Sequence, residues 1–399
     1  MMDDIGSGTS PKFDKSPNES DGFNCVKGFY DAAAKDKTNC SLLQRRRSRI
    51  YYMRNLSNWI KGTLISRYLD LVYEKKQGNR VNILDLCCGK GGDQKKWQVG
   101  CVDHVTFVDI SAASIDICKE RYNSLKCGNY RGRIFSADFI VHDCTAPLDL
   151  KRLYSVVSCQ FALHYAFESI DKARTMLQNS SQALEEGGYF LVTVPNAYEI
   201  LRRLNQSKDR RSFGNSVYSI TFDELYTTHH PPPLFKARYH FQLEGVVDCP
   251  EHLVYPPLLI AMAKEVSLEC IEGPLPFAAF MRRTAQDRPM NMHLLRTMDA
   301  LEMWPSTHLS RHSLPLPSSP KRGSGHHDRS RSPIDRCGST AGWRSGEESS
   351  VAASEVDAYA HVERRRYSLH LPVGTISKQE WEAFCTYCVF VFKKVVPNR

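Results

Sequence analysis

A glycine-rich loop directly after an apolar run is the clearest candidate for chemistry in the 399-residue chain. The segment ILDLCCGKGGD joins a buried-strand pattern to Gly89, Gly91 and Gly92, and a helical pattern follows. Glycines allow positive φ and a close backbone approach to a ligand, so this context is typical of a nucleotide-cofactor loop. The spacing matches neither G-x-x-x-x-G-K-S/T nor G-x-G-x-x-G, which excludes a P-loop and disfavours a dinucleotide site.

Three acids stand at the ends of neighbouring strand patterns. Asp85 lies just before the loop, Asp109 lies 20 residues after Gly89, and Asp143 follows the third strand pattern. Ligands of open parallel sheets bind at that edge, where an acid such as Asp109 can accept hydrogen bonds from both ribose hydroxyls. Each acid taken alone could equally cap a helix or close a turn. Together with the loop they favour S-adenosylmethionine over NAD, because a sulfonium donor needs no phosphate cradle.

The elements around these residues alternate between strands and helices. This alternation predicts βαβ units and a mostly parallel sheet with helices on both faces. The fourth strand is followed by a helix over roughly 168–184, ended by Gly187-Gly188, and ARYHFQLEGVV reads as one strand. A final helix and strand, TISKQEWEAFCTYCVFVFKK, must return to the sheet. We expect a disordered tail over 1–22, a domain over 23–303 and 356–396, and a disordered Ser/Arg/Pro-rich insertion over 304–355.

The composition excludes several classes of protein. Hydrophobic residues make up 42% of the chain, a fraction that excludes full disorder. The net charge of +9 suits a polyanionic partner. No apolar run reaches the roughly 18 residues of a membrane helix, and the polar N-terminus is not a secretory signal. The 14 cysteines are therefore expected as reduced thiols in the cytosol or nucleus.

The order of motifs resembles the eukaryotic mRNA cap guanine-N7 methyltransferases. The matching segments include NLSNWIKGTLI, ILDLCCGKGGDQKKW, VDISAASI, SCQFALHYAFES, FQLEGVVDCPEHLVY and LPVGTISKQEWEAF, and they span residues from about 45 to 394. The resemblance implies a Rossmann-like, seven-stranded S-adenosylmethionine-dependent methyltransferase fold, with a cap-binding subregion built from the C-terminal half. It implies methyl transfer to N7 of the terminal guanine of GpppN-capped RNA in the nucleus, with a small activating subunit and the transcription machinery as further partners.

The resemblance also implies two groups of site residues. Donor-binding positions are Lys61, Cys87, Gly89, Asp109, Asp143, Gln160 and Tyr165. Cap-binding positions are Ser57, Asn58, Lys90, Lys96, Arg121, His164, Glu251 and Tyr387. The cations suit a triphosphate, and one carboxylate can accept from the guanine N1–H and its exocyclic amine. The chain departs from the family at Cys87, which replaces a loop glycine, and at Ser57, which replaces an Asn.

Guanine N7 carries a lone pair and needs no deprotonation, so no catalytic acid or base is expected. No metal site is expected either, since Cys385-x-x-Cys388 has no second pair at zinc-finger spacing. Glu251, which follows Pro250, could alternatively be an acid in the first turn of a helix. Two other functions stay open: a methyltransferase for a small molecule or protein, and an inactive RNA-binding relative, which only Cys87 supports.

Overall fold

The computed structural model describes residues 20–35, 48–76, 78–128, 133–227, 229–300 and 376–396. A seven-stranded sheet lies at its centre in the order β10-β11-β5-β4-β1-β2-β3. The strands are β1 Asn82–Leu86, β2 His104–Asp109, β3 Ser136–Val141, β4 Tyr154–Gln160, β5 Leu184–Pro195, β10 Leu268–Pro276 and β11 Tyr387–Lys394. The first five pair in parallel, while β11 pairs antiparallel with β5 and with β10. The predicted mostly parallel, seven-stranded methyltransferase sheet is confirmed.

Helices cover both faces of this sheet. They are α1 Ser20–Lys35, α2 Tyr51–Lys76, α3 Gln94–Val99, α4 Ala112–Cys127, α5 Ile170–Ala183, α6 Ala197–Gln206, α7 Pro256–Glu265, α8 Phe277–Asp287, α9 Pro289–Thr297 and α10 Lys378–Phe384, with a 3-10 helix over Leu163–Glu168. Two apolar clusters fill the interfaces. One contains Trp59 and Phe107, and the other contains Phe167 and Phe190. Within the described ranges, no helix has the length and apolarity that a membrane crossing would require.

A second, antiparallel sheet follows the fifth strand. It consists of β6 Ser212–Gly214, β7 Tyr218–Phe222, β8 Arg238–Leu243 and β9 Val247–His252, in that order. The segment ARYHFQLEGVV is therefore not one strand, because Gly245, at a φ of +65°, reverses the chain between β8 and β9. The inner residues of β8 alternate with exposed ones, and Tyr239, Phe241 and Leu243 are buried.

Three further boundaries differ from the sequence expectations. The helix after the fourth strand ends at Ala183, and β5 already begins at Leu184. Gly187 and Gly188 lie inside β5, where the pairing with β4 shifts register between Tyr154 and Val156, so they form an irregularity of the strand rather than a helix end. Strand β10, which pairs beside the C-terminal strand, was missed because its EGPLP segment carries two prolines.

The N-terminal boundary also differs. Helix α1 begins at Ser20, inside the tail predicted over 1–22, and it packs against α4 and β9. Its apolar residues Val26, Phe29, Tyr30 and Ala33 recur at helical spacing, so the sequence itself supports this helix although the predicted tail overlapped its start. Residues 1–19 of the predicted tail, the predicted insertion over 304–355 and the domain segment 356–375 lie outside the described residues.

Candidate functional site

An open cleft of about 2200 Å³ lies at the carboxyl ends of β1, β2 and β4, against the second sheet. Every site residue expected from the sequence lines this cleft except Lys96. Residues from α2, the glycine loop, the ends of β2 and β4, the 3-10 helix, β9 and β11 meet there. The fold thus brings together positions up to 330 residues apart, from Ser57 to Tyr387.

The glycine loop and Asp109 form the donor end of the cleft. Asp109 is 8% exposed, and its carboxylate accepts from Gly89 N at 2.8 Å and from Ser111 N at 2.9 Å. Each oxygen keeps a lone pair for a hydroxyl in the cleft. Burial raises the pKa of Asp109, although the backbone N–H groups of Ser111 and Gly89 favour its charged form. Gly91 has a φ of +70°, and a Cβ there would come within 2.5 Å of Gln94 Nε2, so this turn requires glycine.

Cys87 occupies a left-handed backbone position with a φ of +52°. A left-handed backbone of this kind suits a glycine better than a cysteine. The Cys87 thiol lines the cleft near Cys144 and Cys159. The Cys144 thiol favours the thiolate, but Cys159 and burial outweigh it, so the pKa of Cys87 is raised and the thiol stays neutral. Cys87 therefore adds a neutral side chain to the wall of the cleft.

A buried carboxylate holds two of the expected ligands. Asp93 Oδ1 lies 2.8 Å from Lys61 Nζ and 2.5 Å from Lys96 Nζ, and the three side chains are 7%, 13% and 15% exposed. Burial alone would raise the pKa of Asp93, but the two ammonium groups lower it below its usual range. Lys61 reaches the cleft from here, with its Nζ 5.8 Å from the Phe161 ring centre.

Lys96 does not line the cleft, although its ammonium group bonds residues that do. Besides Asp93 it donates to Asn58 Oδ1 at 3.3 Å and to Gly92 O at 3.4 Å, and the exposed Lys95 lines the cleft in its stead. Asp85 also lies behind the loop, where its carboxylate accepts from Trp97 Nε1 at 3.0 Å. Burial, with the charge of Asp93, raises the pKa of Asp85 to about 7.

Asp143 and Gln160 line the cleft with most of their polar groups already engaged. Asp143 Oδ1 accepts from the Thr145 N–H and hydroxyl, both at 2.8 Å, which leaves its second oxygen for a ligand. The Gln160 amide donates to Ser158 Oγ and Leu191 O and accepts from Thr193 Oγ1. Gln160 thus contributes mainly its surface to the wall of the cleft.

The other end of the cleft is built around Glu251. This residue lies on β9 and is 3% exposed, so it is not an acid in the first turn of a helix. Tyr239 donates its hydroxyl to Glu251 Oε2 at 2.9 Å, and burial, followed by the Glu251 charge, raises the pKa of Tyr239 well above its usual value. His164 Nε2 lies 3.2 Å from Glu251 Oε1, yet neither ring nitrogen of this buried residue makes a hydrogen bond to the described part of the chain. A polar ligand with both donors and acceptors fits this place.

Aromatic rings line the space between the two ends. The Tyr387 ring lies 5.0 Å from Phe161, nearly perpendicular to it, and 5.7 Å from Phe277, nearly parallel to it. Burial, followed by the charge of Glu251, raises the pKa of Tyr387 well above its usual value, so its hydroxyl stays neutral. Phe161 has a φ of +61°, which the backbone bond from its N–H to Thr193 O helps to hold. A flat base can pack against such rings.

Helix α1 also borders the cleft, although the sequence analysis assigned no site residue to it. The Tyr30 hydroxyl lies 2.9 Å from that of Tyr165, and Lys90 Nζ donates to Ala33 O at 2.5 Å. Arg121 Nη1 donates to Lys90 O at 2.8 Å, so the two expected phosphate ligands lie together.

Sequence reasoning missed Tyr30, Asp93 and Phe161. Asp93 directly follows Gly91-Gly92 in the loop and could have been noticed there, whereas the helical pattern of α1 does not show that this helix borders the cleft. Among the described residues, no group of three or more His, Cys, Asp or Glu side chains is placed to hold a metal ion.

Comparison with known proteins agrees with this geometry. The family model for the mRNA (guanine-N(7))-methyltransferase domain matches residues 15–395. The chain belongs to this family. It is 36% identical over 362 residues to the mRNA cap guanine-N(7) methyltransferase of Drosophila melanogaster, with 88% of this chain and 73% of the relative covered. It is 33% identical to that of Caenorhabditis elegans, covering 88% and 82%, and 38% identical to that of Oryza sativa subsp. japonica, covering 66% and 71%.

Among solved structures, an S-adenosylmethionine-dependent methyltransferase from Clostridium acetobutylicum is similar with a TM-score of 0.40 and 13% identity. The match covers 54% of this chain and 83% of that chain. A likeness of this size adds nothing to the family assignment.

Proposed function

We propose that this member of the family methylates N7 of the terminal guanine of GpppN-capped RNA with S-adenosylmethionine as the methyl donor. The observation that carries the proposal is the pairing of two sites in one cleft. The glycine loop and Asp109 form one end, and the buried Glu251 with the unsatisfied His164 forms the other.

The donor end fits S-adenosylmethionine. The Asp109 carboxylate keeps free lone pairs toward the cleft, the Gly89 backbone lines it without a side chain, and Lys61 brings an ammonium group to the wall. Asp109 would accept from the ribose hydroxyls, Asp143 would accept near the adenine, and Lys61 would bind the donor carboxylate. When bound, the cofactor supplies an electrophilic methyl group on a cationic sulfur.

The chain's own contribution is positioning. Glu251 would accept from the guanine N1–H and exocyclic amine, His164 would bond the base edge, and Tyr387 would pack on the base. Lys90 and Arg121 would bind the triphosphate, and Ser57 and Asn58 line the same wall. N7 attacks with its own lone pair, so these residues need to hold it in line with the methyl group rather than move a proton. We assign no catalytic acid or base.

The decisive experiment supplies labelled donor with GpppG-capped RNA, free GTP and a protein mixture. The proposal expects label on the capped RNA. Label on the protein mixture or on a small molecule alone would favour the second function, a methyltransferase of another substrate. No label anywhere, with donor still bound, would favour an inactive relative.

Glu251→Gln tests the guanine contact itself. The substitution keeps the size but places an amide donor against a base donor, and we expect cap methylation to fall at least about 100-fold, or about 2.7 kcal/mol, while donor affinity stays within about twofold. Glu244→Gln is a matched control, because Glu244 lines the same cleft but its side chain is 42% exposed. Normal transfer by Glu251→Gln, or a parallel loss of donor binding, would contradict the assignment.

We also propose that the protein acts in the nucleus and has a small activating subunit and the transcription machinery as partners. The net charge of +9 and the basic run RRRSR at 45–49 suit nuclear import and an RNA partner. A fluorescent fusion should concentrate in nuclei and lose this distribution when the basic run is replaced by Ser and Gln.

The proposed partners are tested by purification. The chain isolated with its partners should transfer methyl groups faster than the chain alone, and it should co-purify with RNA polymerase that is engaged in transcription. Equal rates and no co-purification would refute the partnership.

A further inference from the structure

Helix α1 places a charge beside the donor end of the cleft, on Asp31, which is bonded to Ser111 and does not itself line the cleft. Phe29, Tyr30 and Ala33 of this helix line the cleft, and α1 packs against α4, which begins just after Asp109. Asp31 projects from α1 onto Ser111, and its carboxylate Oδ1 accepts from Ser111 Oγ at 2.5 Å. The residue therefore stands next to the ribose-binding acid without being part of the glycine loop.

One buried residue joins the two carboxylates. Ser111 is fully buried; its N–H donates to Asp109 Oδ1 at 2.9 Å and its hydroxyl donates to Asp31. The same hydroxyl accepts from Ser114 N at 3.1 Å, which caps α4. Burial raises the pKa of Asp109, and the negative charge of Asp31 raises it further, so the two carboxylates interact.

Two adjacent carboxylates repel each other when both are charged, and a nearby cation lowers this repulsion. The ammonium group of Lys61, which also lines the cleft, is already paired with Asp93. Lys90 is the cation bonded to α1, through Ala33 O, and it is one of the expected ligands of the cap phosphates. A cationic ligand bound against Asp109 would relieve the repulsion between the Asp109 and Asp31 carboxylates, whereas a neutral ligand would not.

S-adenosylmethionine carries a positive sulfonium that its product, S-adenosylhomocysteine, lacks. We propose that Asp31 is a positioning residue that makes the donor site select the cationic donor over the neutral product. The proposal rests on the donor named above but not on the cap substrate. A single charge acting across a partly hydrated cleft changes affinity by about three- to tenfold.

The test compares donor and product affinities by calorimetry, with S-adenosylmethionine and S-adenosylhomocysteine as the two ligands and no RNA present. Asp31→Asn keeps the size and an acceptor for Ser111 but removes the charge. We expect the donor to bind about three- to tenfold more weakly and the product to change less than about twofold. Asp31→Glu keeps the negative charge and should therefore retain the preference for the donor over the product.

Two control variants separate charge from structure. Asp116→Asn removes an exposed negative charge from α4, and Ser111→Ala removes the link to Asp31 but keeps both carboxylates. Both should retain the wild-type ratio of the two affinities. An equal loss for donor and product in Asp31→Asn, or no change in either, would overturn the proposal. Wild-type protein that binds both ligands but fails to methylate capped RNA would refute the proposed function and leave this inference standing.

Discussion

The carboxylate of Asp93 offers the sharpest test of how the cleft is held together. It contacts Lys61 Nζ at 2.8 Å and Lys96 Nζ at 2.5 Å, and all three side chains are at most 15% exposed. Asp93→Asn would leave two ammonium groups facing a neutral amide. Removing one partner of a buried ion pair costs about 3–5 kcal/mol, and the slight exposure of both lysines puts this site near 3 kcal/mol.

Urea unfolding at neutral pH measures that loss directly. Asp116→Asn is the control, because Asp116 pairs with Lys119 at 3.5 Å while its side chain is 70% exposed, and its removal should cost less than about 0.5 kcal/mol. Adding Lys96→Met to Asp93→Asn removes one stranded cation, so the double variant should recover at least about 1 kcal/mol. A single variant within about 1 kcal/mol of wild type, or a double variant with no recovery, would refute the reasoning.

The stabilisation by the Asp93 carboxylate should be lost in acid. The pKa of Asp93 is lowered from its ordinary 3.8, so its contribution is complete above that pH and is lost as the pH falls through the lower folded value. The Asn variant lacks this titration. The difference in unfolding free energy between wild type and variant should therefore shrink only in strongly acidic solution.

Three further predictions concern single residues. Asp109→Ala should weaken donor binding by about 2–4 kcal/mol, measured by calorimetry, whereas Asp138→Ala, an exposed acid on β3, should leave it unchanged. Cys87→Gly relieves a left-handed backbone worth about 1–2 kcal/mol and removes a Cβ from the cleft, so donor affinity should rise with no loss of stability; weaker binding would show that the thiol contacts the donor. Burial raises the pKa of Glu380 to about 7, so its stabilising effect is present at low pH and lost as the pH rises through about 7; Glu380→Gln should remove this part of the pH profile of unfolding.

The sequence by itself determined the type of sheet and most of the site. The strand–loop–helix pattern around Gly89, the acids after successive strands and the alternation of elements follow from local periodicity and turn chemistry, which act over a few residues. The family motifs added Glu251, His164 and Tyr387 from distant parts of the chain. All of these line one cleft because the carboxyl ends of parallel strands share an edge of the sheet.

Only the tertiary structure decided the environment of each side chain. Lys96 lies behind the lining of the cleft because the carboxylate of Asp93, three residues earlier in the chain, holds its ammonium group. Glu251 lies on a strand because Gly245 turns β8 back onto β9, a pairing that one apolar run does not reveal. Helix α1, which the sequence gave no reason to place at the donor site, is held by Asp31, Tyr30 and the Lys90 contact. These three α1 contacts join residues 57 to 135 positions apart, so local sequence patterns carry no trace of them.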